Sequence, residues 1–177
     1  MCVICIKPKG IELPSKENMR AMYLANHDGC GFCTPSQYFR TLSFESFMQR
    51  IRQVSKDEPC IMHFRLATHG SVKRANCHPF YDKETDVYFA HNGILDVWPD
   101  KDKTDSETAF LRILKPEIMA HGYKSDELKY AVRQIIGGSK FALLKGDELQ
   151  IFGDYHTYEN CLYSNLRFAY YMNLRHL

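Results

Sequence analysis

Short apolar strands interleaved with amphipathic helices predict a mixed α+β domain, two packed sheets covered by helices. Three observations carry this fold class. The opening CVICIK is apolar, β-branched and short, so it reads as a buried strand. SFESFMQRIRQV and SDELKYAVRQII repeat apolar residues at helical spacing, each behind a serine suited to capping. KFALL and ELQIF flank Gly146-Asp147, a hairpin pattern. At 177 residues the chain holds one sizeable core and is too short for two ordinary domains, so a single domain over 1–177 is expected.

The elements follow in order. After the first strand, NHDGCGF reads as a loop whose glycines permit a tight backbone path. Phe44, Phe47, Met48, Ile51 and Val54 then make a helical stripe capped by Ser43. PCIMHFRLA and DVYFAH read as strands. A helix opens near Asp105, runs through Phe110, Leu111 and Leu114, and is expected to stop at Pro116. In the next helix Ser125 is the cap, and Asp126 and Glu127 complement the positive N-terminal end. Leu128, Ala131, Val132 and Ile135 form its buried stripe, and Gly137 and Gly138 end it. After the hairpin, LYSNLRFAYYMNL reads as a strand plus a docked tail.

Composition excludes several classes. Hydrophobic residues at 45% and charged residues at 25% are those of a soluble globular protein. A formal net charge of +2 gives no reason to expect a nucleic-acid or membrane partner. No apolar run approaches the roughly 20 residues of a membrane span, and the N-terminus lacks signal-peptide character. Seven cysteines, an odd number, point to cytosolic thiols more than a disulfide framework, so a cytoplasmic location is expected.

Chemistry concentrates at a few positions. Cys2 follows the initiator Met1. Once Met1 is removed, one residue holds a thiol and a free α-amino group that titrates at roughly 7.7–8.0, a nucleophile with its own base. Residues 63–70 read HFRLATHG, where Arg65 suits bidentate capture of a carboxylate or an ordinary surface ion pair. Residues 91–93 read HNG; Asn92 and Gly93 could supply two oxyanion donors, or form a plain turn. In DSE, Asp105 could cap a helix or bind an ammonium group. His78, in ANCHPF, has a pocket-lining and a structural reading, both open. Cys2 with Cys5, and Cys30 with Cys33, form two C-x-x-C pairs and leave a competing class: a non-catalytic zinc-binding interaction module. Strand geometry weighs against it, because Cys2 and Cys5 would face opposite ways.

Taken in order, Cys2, NHDGCGF, HFRLATHG, AHNG and DSE resemble the glutaminase domain of the class II glutamine amidotransferases, which are N-terminal nucleophile hydrolases. The resemblance spans residues 2 to about 107, with the hairpin and YSN segment compatible with it. It implies a four-layer α/β/β/α sandwich in which Cys2 starts a central strand. It implies hydrolysis of the L-glutamine side-chain amide through a Cys2 thioester, with Asn92 and Gly93 stabilising the oxyanion. Arg65 would clamp the α-carboxylate with Thr68 and His69 near it, and Asp105 would pair with the α-ammonium. Cofactors and metals are not expected. His27 stands where the family usually has arginine. Nothing after residue 107 reads as an acceptor domain, so a separate synthase subunit is expected to use the ammonia. A stand-alone amidohydrolase acting on another amide is the alternative within the same class.

Overall fold

Alternation along β1 (Val3–Lys7) sets the layers of the fold. Successive side chains of a strand face opposite ways. Val3 and Cys5 enter one apolar core and Ile4 and Ile6 another. The structure is a computed structural model and describes residues 2–67 and 71–172. The first core is closed by α1 (Lys16–Ala25), through Met19, Ala21 and Met22, and by α2 (Phe44–Ile51), through Phe44, Phe47, Met48 and Ile51. The second lies between two sheets, with Ile4, Ile6, Cys33 and Ile61 against Ala90, Ala142 and Leu144.

Both sheets are antiparallel. The six-stranded sheet runs β3 (Tyr38–Thr41), β2 (Cys30–Cys33), β4 (Cys60–Phe64), β1, β10 (Cys161–Tyr163), β9 (His156–Tyr158). The four-stranded sheet runs β5 (Phe80–Asp82), β6 (Val87–Asn92), β7 (Lys140–Lys145), β8 (Glu148–Phe152). A third core packs Phe89, Phe141 and Leu143 of the second sheet against α3 (Asp105–Ala109), α4 (Lys115–His121) and α5 (Asp126–Ile135). The resulting order is helices, sheet, sheet, helices, as expected. Among the described residues, no helix is long and apolar enough to cross a membrane.

Local signals account for most elements. Ser43 Oγ accepts the Ser46 N–H and Ser125 Oγ the Leu128 N–H, so both expected caps form. Gly146 and Asp147 join β7 to β8, with Gly146 at φ +52°. Pro116 does not end its helix. A π turn at Phe110–Leu114 precedes it, and the helix continues through Pro116 to His121. The tail after β10 carries a short helix, α6 (Ala169–Met172).

The zinc reading fails on this geometry. Cys30 and Cys33 lie on opposite faces of β2, Cys30 in the helix-side core and Cys33 between the sheets. Cys5 is fully buried in the helix-side core. The four thiols cannot converge on one ion.

Candidate active site

Cys2 leads directly into β1, between β4 and β10 at the centre of the larger sheet. Leu66 brackets the thiol: its N–H lies 3.4 Å from Cys2 Sγ and its carbonyl 3.5 Å. Asn165 Nδ2 donates to the Cys2 carbonyl at 2.9 Å. Burial pushes the Cys2 thiol pKa up, and the Leu66 N–H and the Arg65 charge counter that only in part.

Arg65 leaves the end of β4 and is buried. Its backbone is held by the NHDGCGF loop. The Arg65 N–H donates to Gly29 O at 2.8 Å and its carbonyl accepts the Asp28 N–H at 2.9 Å. Asp28 Oδ2 then accepts the Ala67 N–H at 2.8 Å. Gly29 has φ +131°, and a Cβ there would come within 2.4 Å of Cys77 Sγ, so glycine is required. His27, the departure from the family pattern, is exposed. Thr68 and His69 lie outside the described residues.

Asn92 ends β6 and is buried; its Nδ2 lies 2.9 Å from Ser164 Oγ. Gly93 turns away at φ +146°, and a Cβ there would fall 2.1 Å from Ser139 Oγ. Ser139 Oγ donates to Ile94 O at 3.1 Å, clamping the loop after β6.

The cap ahead of α3 is Thr104, whose Oγ1 accepts the Glu107 N–H at 3.1 Å. Asp105 is thereby released from the capping alternative. Its Oδ1 accepts the Ser106 N–H at 2.7 Å and the Ser106 hydroxyl at 3.1 Å, and its Oδ2 accepts the Leu95 N–H at 3.1 Å. Ser106 Oγ also lies 2.7 Å from His91 Nδ1. Because that hydroxyl gives its proton to Asp105, His91 carries its own proton on Nδ1. His63 Nε2 lies 3.0 Å from His91 O, a carbonyl, so His63 is protonated on Nε2. Burial lowers the pKa of His63 to about 3 and that of His91 to about 4. The His78 ring lies 4.3 Å from that of His63, tilted by 35°, and burial pushes His78 well below the usual histidine range.

Cys2, Arg65, His78, Gly93 and Asp105 meet in the walls of one pocket of about 50 Å³. Four of the expected site residues thus share a cavity: a thiol, a cation, an anion and the glycine corner. Asn92 sits behind Gly93 with its amide toward Ser164. Sequence reasoning does not single out the supporting residues Asp28, Ser139, Ser164 and Asn165 as individual contributors. Only the segments NHDGCGF and YSN hint at two of these regions.

The family model for class-II glutamine amidotransferases matches residues 42–154, more than half of the chain. This chain belongs to that family. The class-II amidotransferase match extends to the glutamine–fructose-6-phosphate aminotransferase (isomerizing) of Methanococcus maripaludis, 30% identical over 87 residues. Those residues are 45% of this chain and 14% of the relative. Among solved structures, the glutamine phosphoribosylpyrophosphate amidotransferase of B. subtilis superposes with a TM-score of 0.60 at 17% identity, covering 92% of this chain and 41% of that one. A regulatory enzyme of purine biosynthesis gives 0.58 at 16% identity with the same coverage. At such identities the two structures speak to the fold, which they share with this chain. The chain spans less than half the length of each of these proteins.

Proposed function

We propose that the chain hydrolyses the side-chain amide of L-glutamine to glutamate and ammonia, with Cys2 as nucleophile. The observation that carries this reading is the shared pocket of Cys2, Arg65, Gly93 and Asp105. A zwitterionic amino acid with a reactive amide needs a cation for its carboxylate, an anion for its ammonium and a nucleophile between them. Arg65 and Asp105 supply the charges, and His78 lines the same wall.

The raised pKa of Cys2 keeps the resting sulphur protonated at neutral pH, so attack requires a base. After Met1 is removed, the α-amino group of Cys2 takes the thiol proton as the S–C bond forms. The amide oxygen becomes an oxyanion held by Asn92 and the Gly93 N–H. The resulting ammonium returns its proton to the departing nitrogen, the C–N bond breaks, and ammonia leaves a glutamyl thioester. Water then adds with its proton passing to the amine, the S–C bond breaks, and the sulphur recovers a proton as glutamate departs.

A separate synthase subunit receives the ammonia. What supports an acceptor site outside the matched residues is that these make up 41% of the phosphoribosylpyrophosphate amidotransferase chain. The single-domain organisation over 1–177 belongs to the same reading. All seven cysteines are free thiols, which favours the cytoplasm.

The test is glutamate release from L-glutamine by the purified chain, with the N-terminal mass determined in parallel. Turnover is expected in protein lacking Met1 and is expected to vanish in Cys2→Ala and in protein retaining Met1. Full turnover with Met1 intact would overturn the amine-base mechanism. Failure of a glutamine-analogue electrophile to label Cys2 would overturn the glutaminase reading.

A further inference from the structure

Ser164 follows β10, is 3% exposed, and links three parts of the site. Its Oγ accepts the Ile4 N–H at 2.8 Å, and its own N–H donates to Ile4 O at 3.0 Å, so it is locked onto β1 just beyond Cys2. Across the sheet interface the same Oγ lies 2.9 Å from the Asn92 carboxamide. The next residue, Asn165, holds the Cys2 carbonyl. One turn therefore touches both the nucleophile strand and the proposed oxyanion asparagine.

The proton count at this turn is unbalanced when Asn92 Nδ2 faces Ser164. A serine hydroxyl has one proton to give and two lone pairs. Here it would accept twice, from Ile4 and from Asn92, and its own proton would have no acceptor among the described residues. Asn92 Oδ1 would also be buried without a partner among the described residues. The oxygen and nitrogen of a carboxamide have nearly the same shape, so the hydrogen-bond network decides which is which. Turning the amide over balances every group of Ser164: it accepts from Ile4 and donates to Asn92 Oδ1. Asn92 Nδ2 then occupies the position that has no partner among the described residues. A buried donor with no acceptor in the resting site is costly. It becomes satisfied when an oxyanion forms.

We infer that Ser164 is a positioning residue that turns the Asn92 carboxamide so its N–H groups, rather than its oxygen, face the oxyanion. This rests on the glutaminase reading above and deepens it. Ser164 acts on the tetrahedral step through Asn92 and makes no contact with substrate.

The experiment uses the full chain lacking Met1 and compares wild type, Ser164→Ala, Asn92→Ala and the double variant. Three readouts are taken: kcat and KM for glutamine, alkylation of Cys2 by iodoacetamide, and the side-chain NH2 resonances of Asn92. Alkylation displaces iodide and forms no oxyanion. Ser164→Ala is expected to lower kcat at least about tenfold with KM little changed. It should leave alkylation unchanged and cause no further loss in the Asn92→Ala background. A wild-type kcat in Ser164→Ala, a parallel fall in alkylation, or an independent loss in the double variant would overturn the proposal. If Ser164→Ala does not fold, the same readouts are taken on Ser164→Cys, nearly isosteric but a weak donor. A wild-type chain without glutaminase turnover would end the functional reading alone. The orientation of Asn92 is then read from its NH2 resonances. In the wild type an NH2 turned away from Ser164 shows weak NOEs to the Ser164 Hβ protons, whereas an NH2 bonded to Ser164 Oγ shows strong ones and refutes the orientation.

Discussion

The backbone of Leu66 holds the Cys2 sulphur from two sides, its N–H at 3.4 Å and its carbonyl at 3.5 Å. The N–H favours thiolate and the carbonyl favours thiol, so the grip orients the sulphur without ionising it. Burial dominates and keeps the pKa above the usual thiol range. Iodoacetamide labelling of Cys2 should therefore keep rising with pH past about 8.5, with no plateau near neutrality. On the proposed mechanism, with the α-amine as base, glutamine turnover should level off at about pH 8. Parallel pH profiles check this; a labelling plateau at pH 7 would show a preformed thiolate and remove the need for the amine.

His63 and His91 are buried and neutral, with pKa values lowered to about 3 and about 4. In the unfolded chain each titrates near 6.5. Below that value the unfolded state binds protons that the folded state refuses. Stability is full above about pH 6.5 and declines as pH falls toward the folded values. The combined loss is on the order of a few kcal/mol by pH 4. Urea-unfolding midpoints between pH 7.5 and 4 should fall accordingly, and His63→Leu should flatten the slope by removing one site of proton uptake. An unchanged slope in that variant would assign the acid sensitivity to other groups.

The sequence makes legible what is local. Helices α2 and α5 announce themselves through strong apolar stripes and the caps Ser43 and Ser125. Helix α1 is hidden because its buried face includes Asn18 and Ala21 beside two methionines, a weak periodic signal. β3 escapes for a similar reason: it is a half-exposed edge strand without a continuous apolar run. At the site, Cys2, Arg65, Gly93 and Asp105 are legible because short motifs carry them. The roles of Asp28, Ser164 and Asn165 exist only through long-range hydrogen bonds. Ala67 is 39 residues from Asp28, Asn92 is 72 from Ser164, and Cys2 is 163 from Asn165. No local pattern encodes such pairings.

Gly93→Ala tests the corner that shares a pocket with Cys2. At φ +146° an alanine is strained, and its Cβ would meet Ser139 Oγ at 2.1 Å and Ser139 Cα at 2.9 Å. The expected cost is about 2–4 kcal/mol, roughly 5–15 °C in Tm, with turnover lost. Adding Ser139→Gly removes the hydroxyl and Cβ clashes. It leaves the strain at residue 93 and the close approach of the new methyl to the main chain of residue 139. The double variant should recover part of the Tm and little activity. Thermal melts and glutamate release decide it; full recovery would show that crowding alone dictates glycine here.

Asp105 makes a prediction about substrate shape. Its carboxylate is fixed by three donors, from Ser106 N–H, Ser106 Oγ and Leu95 N–H, and it lines the pocket opposite in charge to Arg65. Held this way, it should recognise the α-ammonium of glutamine. Glutaramate, which keeps the amide and carboxylate but lacks the amino group, should be turned over with kcat/KM about 10–100-fold lower than glutamine. Asp105→Asn alone would be ambiguous, because its new NH2 would face a donor from Ser106 or Leu95 and disturb the loop. The ratio between the two substrates cancels that general damage. In Asp105→Asn the preference for glutamine over glutaramate should collapse toward unity, whatever the absolute rates. Retention of the full preference in that variant would mean that another group reads the ammonium and that Asp105 serves only to anchor the loop through Leu95.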